Sequence, residues 1–133
     1  MQPGRNVLAT SSYEEHLLKI FRKEGIEVER EKTFKDLRRG KGVLRFDFFL
    51  PKYNILLEMD GEQHWKPIWG RENLLKQQEN DRLKNSFCLA SEIPLYRIPY
   101  WKLKFIQNFD NIIKDEFRIK SKWHNDYLTP EVP

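Results

Sequence analysis

Hydrophobic residues near the N-terminus recur at helical spacing. Leu17, Leu18, Ile20 and Phe21 form one stripe, which predicts a helix starting near Ser11 or Ser12 and ending at Gly25. Residues 26–34 (IEVEREKTF) alternate imperfectly and read as a first strand, followed by a basic loop with two glycines at 35–42. Residues 45–50 (RFDFFL) are dense in aromatics and predict a strand. A turn at 51–54 joins it to a further strand at 55–60 (ILLEMD), making an antiparallel hairpin. A loop from Gly61 to about Asn73 carries Trp65, Pro67 and Trp69, and a polar helix covers about 72–91. Residues 95–98 (LYRI) read as a short strand between Pro94 and Pro99. The pattern then predicts a last helix over about 103–117, with Phe105, Ile106, Phe109, Ile112, Ile113 and Phe117 on its buried side.

The resulting order is α-β-β-β-α-β-α: a mixed central sheet flanked by helices, of the α/β or α+β class. At 133 residues this is one domain, expected at 11–119, with a loose arm at 1–10 and an aperiodic tail at 120–133. With 39% hydrophobic and 14% aromatic residues, the chain is too apolar for disorder despite 33% charge. The 24 basic and 20 acidic side chains leave a net charge of +4. The resulting pI of 9.2 leans towards polyanionic partners. No apolar run is long enough to span a bilayer, and the first ten residues lack the apolar stretch of a signal peptide. The single cysteine, Cys88, rules out an internal disulfide framework and a multi-cysteine zinc site, and a cytoplasmic location is expected.

The acidic residues change the picture. Asp47 sits among Phe46, Phe48 and Phe49, where a lone carboxylate is expensive unless something pairs with it. A divalent cation is one such partner, and Arg45, two residues away on the same face, is another. In the next strand Glu58 and Asp60 share one face, while Ile55, Leu57 and Met59 share the other. Carboxylates converging from adjacent strands make an oxygen-rich pocket suited to Mg²⁺. The competing reading is that Asp60 and Gly61 form a turn and Glu58 faces solvent. His64, four residues after Asp60, is placed to deprotonate a water, or is simply a surface residue beside Trp65. His16 and His124 have no comparable neighbours and carry no assigned role.

An Asp inside an aromatic strand, followed eleven residues later by E-x-D-G-x-x-H, resembles the Vsr-like (EDxHD) branch of the PD-(D/E)XK nuclease superfamily. That branch includes the very-short-patch repair endonuclease and phage homing endonucleases. The likeness runs from about Ser11 to Trp101 and is most specific over 45–64. It implies a restriction-endonuclease-like core, Mg²⁺ (or Mn²⁺) held by Asp47 and the main-chain carbonyl of Met59, and His64 as general base. It further implies Asp81 as the residue orienting that histidine and Glu14 on the first helix as part of the set, with Glu58 and Asp60 as further candidate ligands. Helical geometry independently places Glu14 on the stripe of Leu17, Leu18, Ile20 and Phe21, although Ser11-x-x-Glu14 also fits a capping box. Asp81 lies on a line with Leu74 and Cys88 and roughly opposite Leu83, Phe87 and Ala90, with Lys84 as a surface partner in the alternative reading. Two departures stand out: Asp60 occupies the place of the superfamily lysine, and one cysteine cannot reproduce the repair enzyme's structural zinc site.

The expected activity is Mg²⁺-dependent hydrolysis of DNA phosphodiesters, leaving a 3′-hydroxyl and a 5′-phosphate, in an enzyme of phage or mobile-element type acting in a bacterial host. Lys35, Arg38, Arg39, Lys41 and Arg45 are candidate phosphate contacts around Gly40 and Gly42, and Trp65 and Trp69 are candidates to stack on bases. A charged, solubilising turn and aromatic packing are the structural alternatives. Duplex DNA is the expected partner, with a homodimer as one source of a second half-site. A non-catalytic nucleic-acid-binding module on the same fold and an RNA-directed nuclease are the competing functions.

Overall fold

Ser11 opens the first element of the computed structural model, which describes residues 11–124; the expected arm at 1–10 and the distal tail at 125–133 lie outside them. The Ser11 hydroxyl accepts the Glu14 N–H at 3.1 Å and caps α1 (Ser12–Lys23). Only the hydroxyl half of the capping box forms, because the Glu14 side chain turns instead to Arg30. Gly25, at φ +66°, ends the helix in the left-handed region that favours glycine. Leu17, Leu18, Ile20 and Phe21 are buried, as their spacing predicts.

The chain then forms β1 (Glu29–Arg39), β2 (Gly42–Leu50) and β3 (Ile55–Asp60), crosses through α2 (Arg71–Ser91), and returns as β4 (Leu95–Pro99). The sheet order is β1-β2-β3-β4, antiparallel except for the parallel β3–β4 pair. The fold is α+β, with this four-stranded mixed sheet between helices. β1 is longer than its hydrophobic pattern predicts and runs through the expected basic loop, which shrinks to a tip at Gly40 (φ +60°). Its alternation is hidden by a register slip between Thr33 and Arg38, where four β1 residues face only Leu44. Among the described residues no helix is long and apolar enough to cross a membrane.

Two apolar layers clamp the sheet. On the α1 side Leu17 and Phe21 pack with Phe48, Leu57 and Ile98, Phe21 meeting Phe48 edge-on at 5.6 Å. On the α2 side Phe46, Leu56, Cys88 and Leu95 form the second layer. Each buried large side chain contributes about 1.5–3 kcal/mol. Within β2, Phe46 belongs to one layer and Phe48 to the other, so the strand's alternation breaks at Asp47. The break is matched in β1 by Glu31, a non-glycine residue at φ +56° lying between Arg30 and Lys32, which pair with Phe48 and Phe46.

The expected last helix over 103–117 does not form as one element. Tyr100–Phe105 and Asp115–Phe117 are 3-10 turns, and α3 is a single α-helical turn, Phe109–Ile112. Ile106 is extended, and Asn108 starts a new cap by accepting the Asn111 N–H at 3.1 Å. Asn111 Oδ1 in turn accepts from Gln107 and Asn108, so two asparagines satisfy locally the backbone groups that a continuous helix needs. Ile106, Phe109, Ile112 and Phe117 are buried as expected, but Phe105 is 58% exposed. Asn108→Ala is expected to destabilise the protein by about 1 kcal/mol in urea titration, the usual worth of such a cap.

Candidate active site

The β2–β3 ladder pairs Leu50, Phe49 and Phe48 with Ile55, Leu56 and Leu57. Beyond that the strands part, and carboxylates take over the freed amides. The Asp47 N–H donates to Glu58 Oε2 at 2.7 Å, and the Met59 N–H donates to Asp47 Oδ2 at 2.8 Å. An acidic side chain inside an aromatic strand is therefore tolerated because it completes the backbone hydrogen bonding where the sheet splays.

Glu58 is buried, which removes the solvent-facing reading. Its Oε1 accepts from Lys84 Nζ at 2.6 Å, from the middle of α2. Burial alone would raise the Glu58 pKa, but Lys84 and then Arg97 outweigh it and keep the carboxylate ionised. The same pairing outweighs the effect of burial on Lys84 and holds its ammonium above the ordinary lysine range. Lys84 also lies 5.5 Å from the Phe46 ring centroid. The cation that balances this acidic face is thus Lys84, not Arg45, which points to solvent opposite Thr33.

Asp60 follows on the same face of β3. Arg97 Nη1 lies 2.9 and 3.1 Å from its two carboxylate oxygens. Arg97 also donates Nε to Asn85 Oδ1 at 2.8 Å and Nη2 to the Asp81 carbonyl at 3.3 Å, and its Nη1 is 3.5 Å from Asp81 Oδ1. This buried guanidinium ties β4 to the acidic face of β3 and to α2 through charged and neutral acceptors together.

A 3-10 turn at Glu62–His64 carries the imidazole back over Asp60. His64 Nδ1 is 2.7 Å from Asp81 Oδ2, and its Nε2 is 3.5 Å from Asp60 Oδ1. A carboxylate partner only accepts, so Nδ1 carries the hydrogen and Nε2 is the basic nitrogen. Burial favours the neutral ring, but Asp60 and Asp81 overcome it and hold the His64 pKa above its usual value. Asp81, also buried, is drawn down to about 2 as Arg97 and then His64 override desolvation. Gln77 Nε2 donates to Asp81 Oδ1 at 3.2 Å, and Gln78 Nε2 to the His64 carbonyl at 3.2 Å. Trp65 lies tilted beside this histidine, its ring centroid 5.8 Å from the imidazole, and meets Trp101 edge-on at 4.7 Å.

Glu14 completes the acidic set. Its Oε1 is 3.1 Å from Arg30 Nη2, yet burial and then the nearby Glu31 and Glu58 charges outweigh that guanidinium and raise its pKa. Asp47 is raised further, through burial first and then the Glu58 and Glu14 charges. Between its unfolded and its raised folded pKa, Asp47 holds a proton in the folded chain that the unfolded chain has released. Stability from this group is lost as pH rises through its folded pKa.

The Glu14 and Asp47 shifts both come from acids crowded together out of water. Asp47 Oδ2 is committed to Met59, but Oδ1 has no protein donor among the described residues. Glu58 and Asp60 have both oxygens committed, to Lys84 and the Asp47 amide and to Arg97. Among the described residues no group of three or more His, Cys, Asp or Glu side chains is placed to hold a metal ion. The arrangement fits Mg²⁺, which is commonly held by one or two carboxylates and keeps several waters.

The structure thus brings Glu14, Asp47, Glu58, Met59, Asp60, His64 and Asp81 to one end of β3. The basic candidates divide. Lys35, Lys41 and Arg45 are exposed, Arg38 turns back on the Lys35 and Lys41 carbonyls (3.0 and 3.4 Å), and Arg39 is 2.6 Å from Glu79. Trp69 is 67% exposed, whereas Trp65 is half-buried. Sequence reasoning missed Lys84, Asn85 and Arg97. It also gave His124 no role, although this half-buried ring has its pKa lowered by burial and then by Arg97, where Asn85 Nδ2 ties down the Lys122 carbonyl at 3.0 Å. Compared with known protein families, with curated proteins and with solved structures, the chain finds no match.

Proposed function

We propose that this chain is a Mg²⁺-dependent DNA endonuclease with a restriction-endonuclease-like core of the Vsr-like kind. One observation carries the reading: Asp47, seated on the Met59 amide, and the buried His64–Asp81 pair, seated on Asp60, meet at the same end of β3. Asp47 Oδ1 and the Met59 carbonyl are the oxygens that would hold the metal. Bound there, Mg²⁺ would neutralise phosphate charge and stabilise the leaving oxygen. His64 Nε2 takes the proton from the attacking water, while Asp81 keeps Nδ1 protonated and the ring oriented. Lys84 keeps Glu58 ionised, so Asp47 receives the Glu58 carboxylate as a hydrogen-bond acceptor rather than a second proton carrier.

The test is supercoiled plasmid with the full chain and Mg²⁺, beside Asp47→Asn and a chelator control. Nicked or linear product is expected only from the unaltered chain with metal. Plasmid bound but left uncut favours the non-catalytic nucleic-acid module, and RNA cut in preference to duplex DNA favours the RNA-directed reading.

A second readout needs no turnover. At ten times its dissociation constant, Mg²⁺ is expected to stabilise the folded chain by about 1.4 kcal/mol, or about 5 °C in melting temperature. Asp47→Asn should abolish that rise in thermal denaturation. An equal rise in the variant would place the metal elsewhere.

A further inference from the structure

We propose that the β1–β2 ribbon lies in the major groove of duplex DNA, its open face on the base edges and Arg45 the side chain that reads them nearest the cut. This rests on the nuclease reading above and names how the substrate is held. The ribbon has one anchored and one open face. Phe34 and Phe46 pack towards Phe87 of α2, Lys32 lies over Phe49 on the same side, and Arg39 reaches Glu79. α1 covers the other face at Phe48, but beyond Asp47 that face carries Thr33 and its partner Arg45, both exposed.

Charge and size select the occupant. Residues 35–45 hold five basic side chains against one acid, Asp36, and among the described residues Arg39 alone of the five is paired with an acidic side chain. Two strands about 4.8 Å apart with their side chains fit a major groove about 12 Å wide, and not a minor groove about 6 Å wide. From Asp47 to Gly42 the strand extends about 17 Å, or about five base-pair steps. Arg45, two residues from Asp47, stays close to the scissile phosphate, while Lys41 at the tip reaches backbone further along. Arg45 is therefore the specificity residue and Lys41 a phosphate anchor.

The test is fluorescence anisotropy of the full chain on a labelled 25-base-pair duplex, with Ca²⁺ in place of Mg²⁺, in a salt series. A matched duplex whose cytosines are glucosylated 5-hydroxymethylcytosine fills the major groove and leaves the minor groove open. Expected are weaker binding to the glucosylated duplex and a loss of about 5-fold or more in Arg45→Ala, with relaxed base choice at one cut-proximal position. Lys41→Ala should weaken binding on all sequences alike and lower the salt slope by about 1. Equal affinity for both duplexes, or variants that bind and cut like the unaltered chain, overturns the groove assignment while plasmid cleavage still upholds the nuclease reading. An unaltered chain that neither binds duplex nor cuts plasmid overturns both.

Discussion

Arg97→Met is expected to destabilise the folded chain by about 3–5 kcal/mol, lowering the urea midpoint by about 2 M at a slope near 2 kcal/mol/M. The residue is 1% exposed, and its side chain faces Asp60, Asp81 and Asn85 at once. Taking a guanidinium out of water is costly, but here Asp60, Asp81 and Glu58 outweigh burial and keep it firmly protonated. Methionine fills much of the volume, so the loss comes from two buried carboxylates left without their cation. A domain of this size has about 5–15 kcal/mol in hand, so this one change removes a large share. The double variant Arg97→Met/Asp60→Leu should recover part of the loss, since it removes a stranded charge together with its partner. A single-variant loss below about 1 kcal/mol would mean that the acids are not ionised against Arg97 in the folded chain.

Much of the fold is legible wherever side-chain pattern and burial coincide. The α1 stripe and the β2–β3 hairpin follow directly from it, and β3 divides its faces as alternation predicts: Leu57 and Met59 towards α1, Glu58 and Asp60 towards α2. Legibility fails where polar residues are buried. On α2 the apolar line of Leu83, Phe87 and Ala90 reads as the core face, yet Leu83 and Ala90 are exposed. The helix instead buries Asp81, Lys84, Asn85 and Cys88. A hydrophobic pattern cannot show that inversion, because it is driven by the charges on β3 and β4. The one available signal is the seven-residue spacing of Leu74, Asp81 and Cys88, a semi-apolar line that by itself leaves the inward and solvated readings of Asp81 open. The C-terminal segment fails for a local reason, the paired asparagine caps at 108 and 111. The candidate Asp47 is legible because it sits where its residue type is expensive, whereas His64, read in a loop, is picked out only by its spacing from Asp60 and by the resemblance. Lys84 and Arg97 are not legible, because a basic residue on a helix or short strand is ordinarily a solvated one.

His64→Ala should cut plasmid at least about 100-fold more slowly than the unaltered chain, with circular dichroism unchanged. That result alone cannot separate a proton acceptor from a packing residue, and Asp81→Asn supplies the distinction. On the proposed mechanism the neutral imidazole is the active form, so cleavage is expected to rise with pH through the raised His64 pKa. Asp81 is one of the two charges that raise it, after Asp60. Replacing Asp81 by Asn removes that charge while keeping the shape, so the His64 pKa falls and the acidic limb of the rate profile moves to lower pH. The maximum rate falls at the same time, because an amide nitrogen facing Nδ1 favours the wrong tautomer and leaves Nε2 protonated. The two effects have opposite signs below neutrality, and a residue that only supports the fold would lower the rate without moving the acidic limb. A profile that drops uniformly at every pH would remove Asp81 from its orienting role. A cleavage rate in the unaltered chain that does not rise with pH across the acidic range would mean that a group other than His64 accepts the proton.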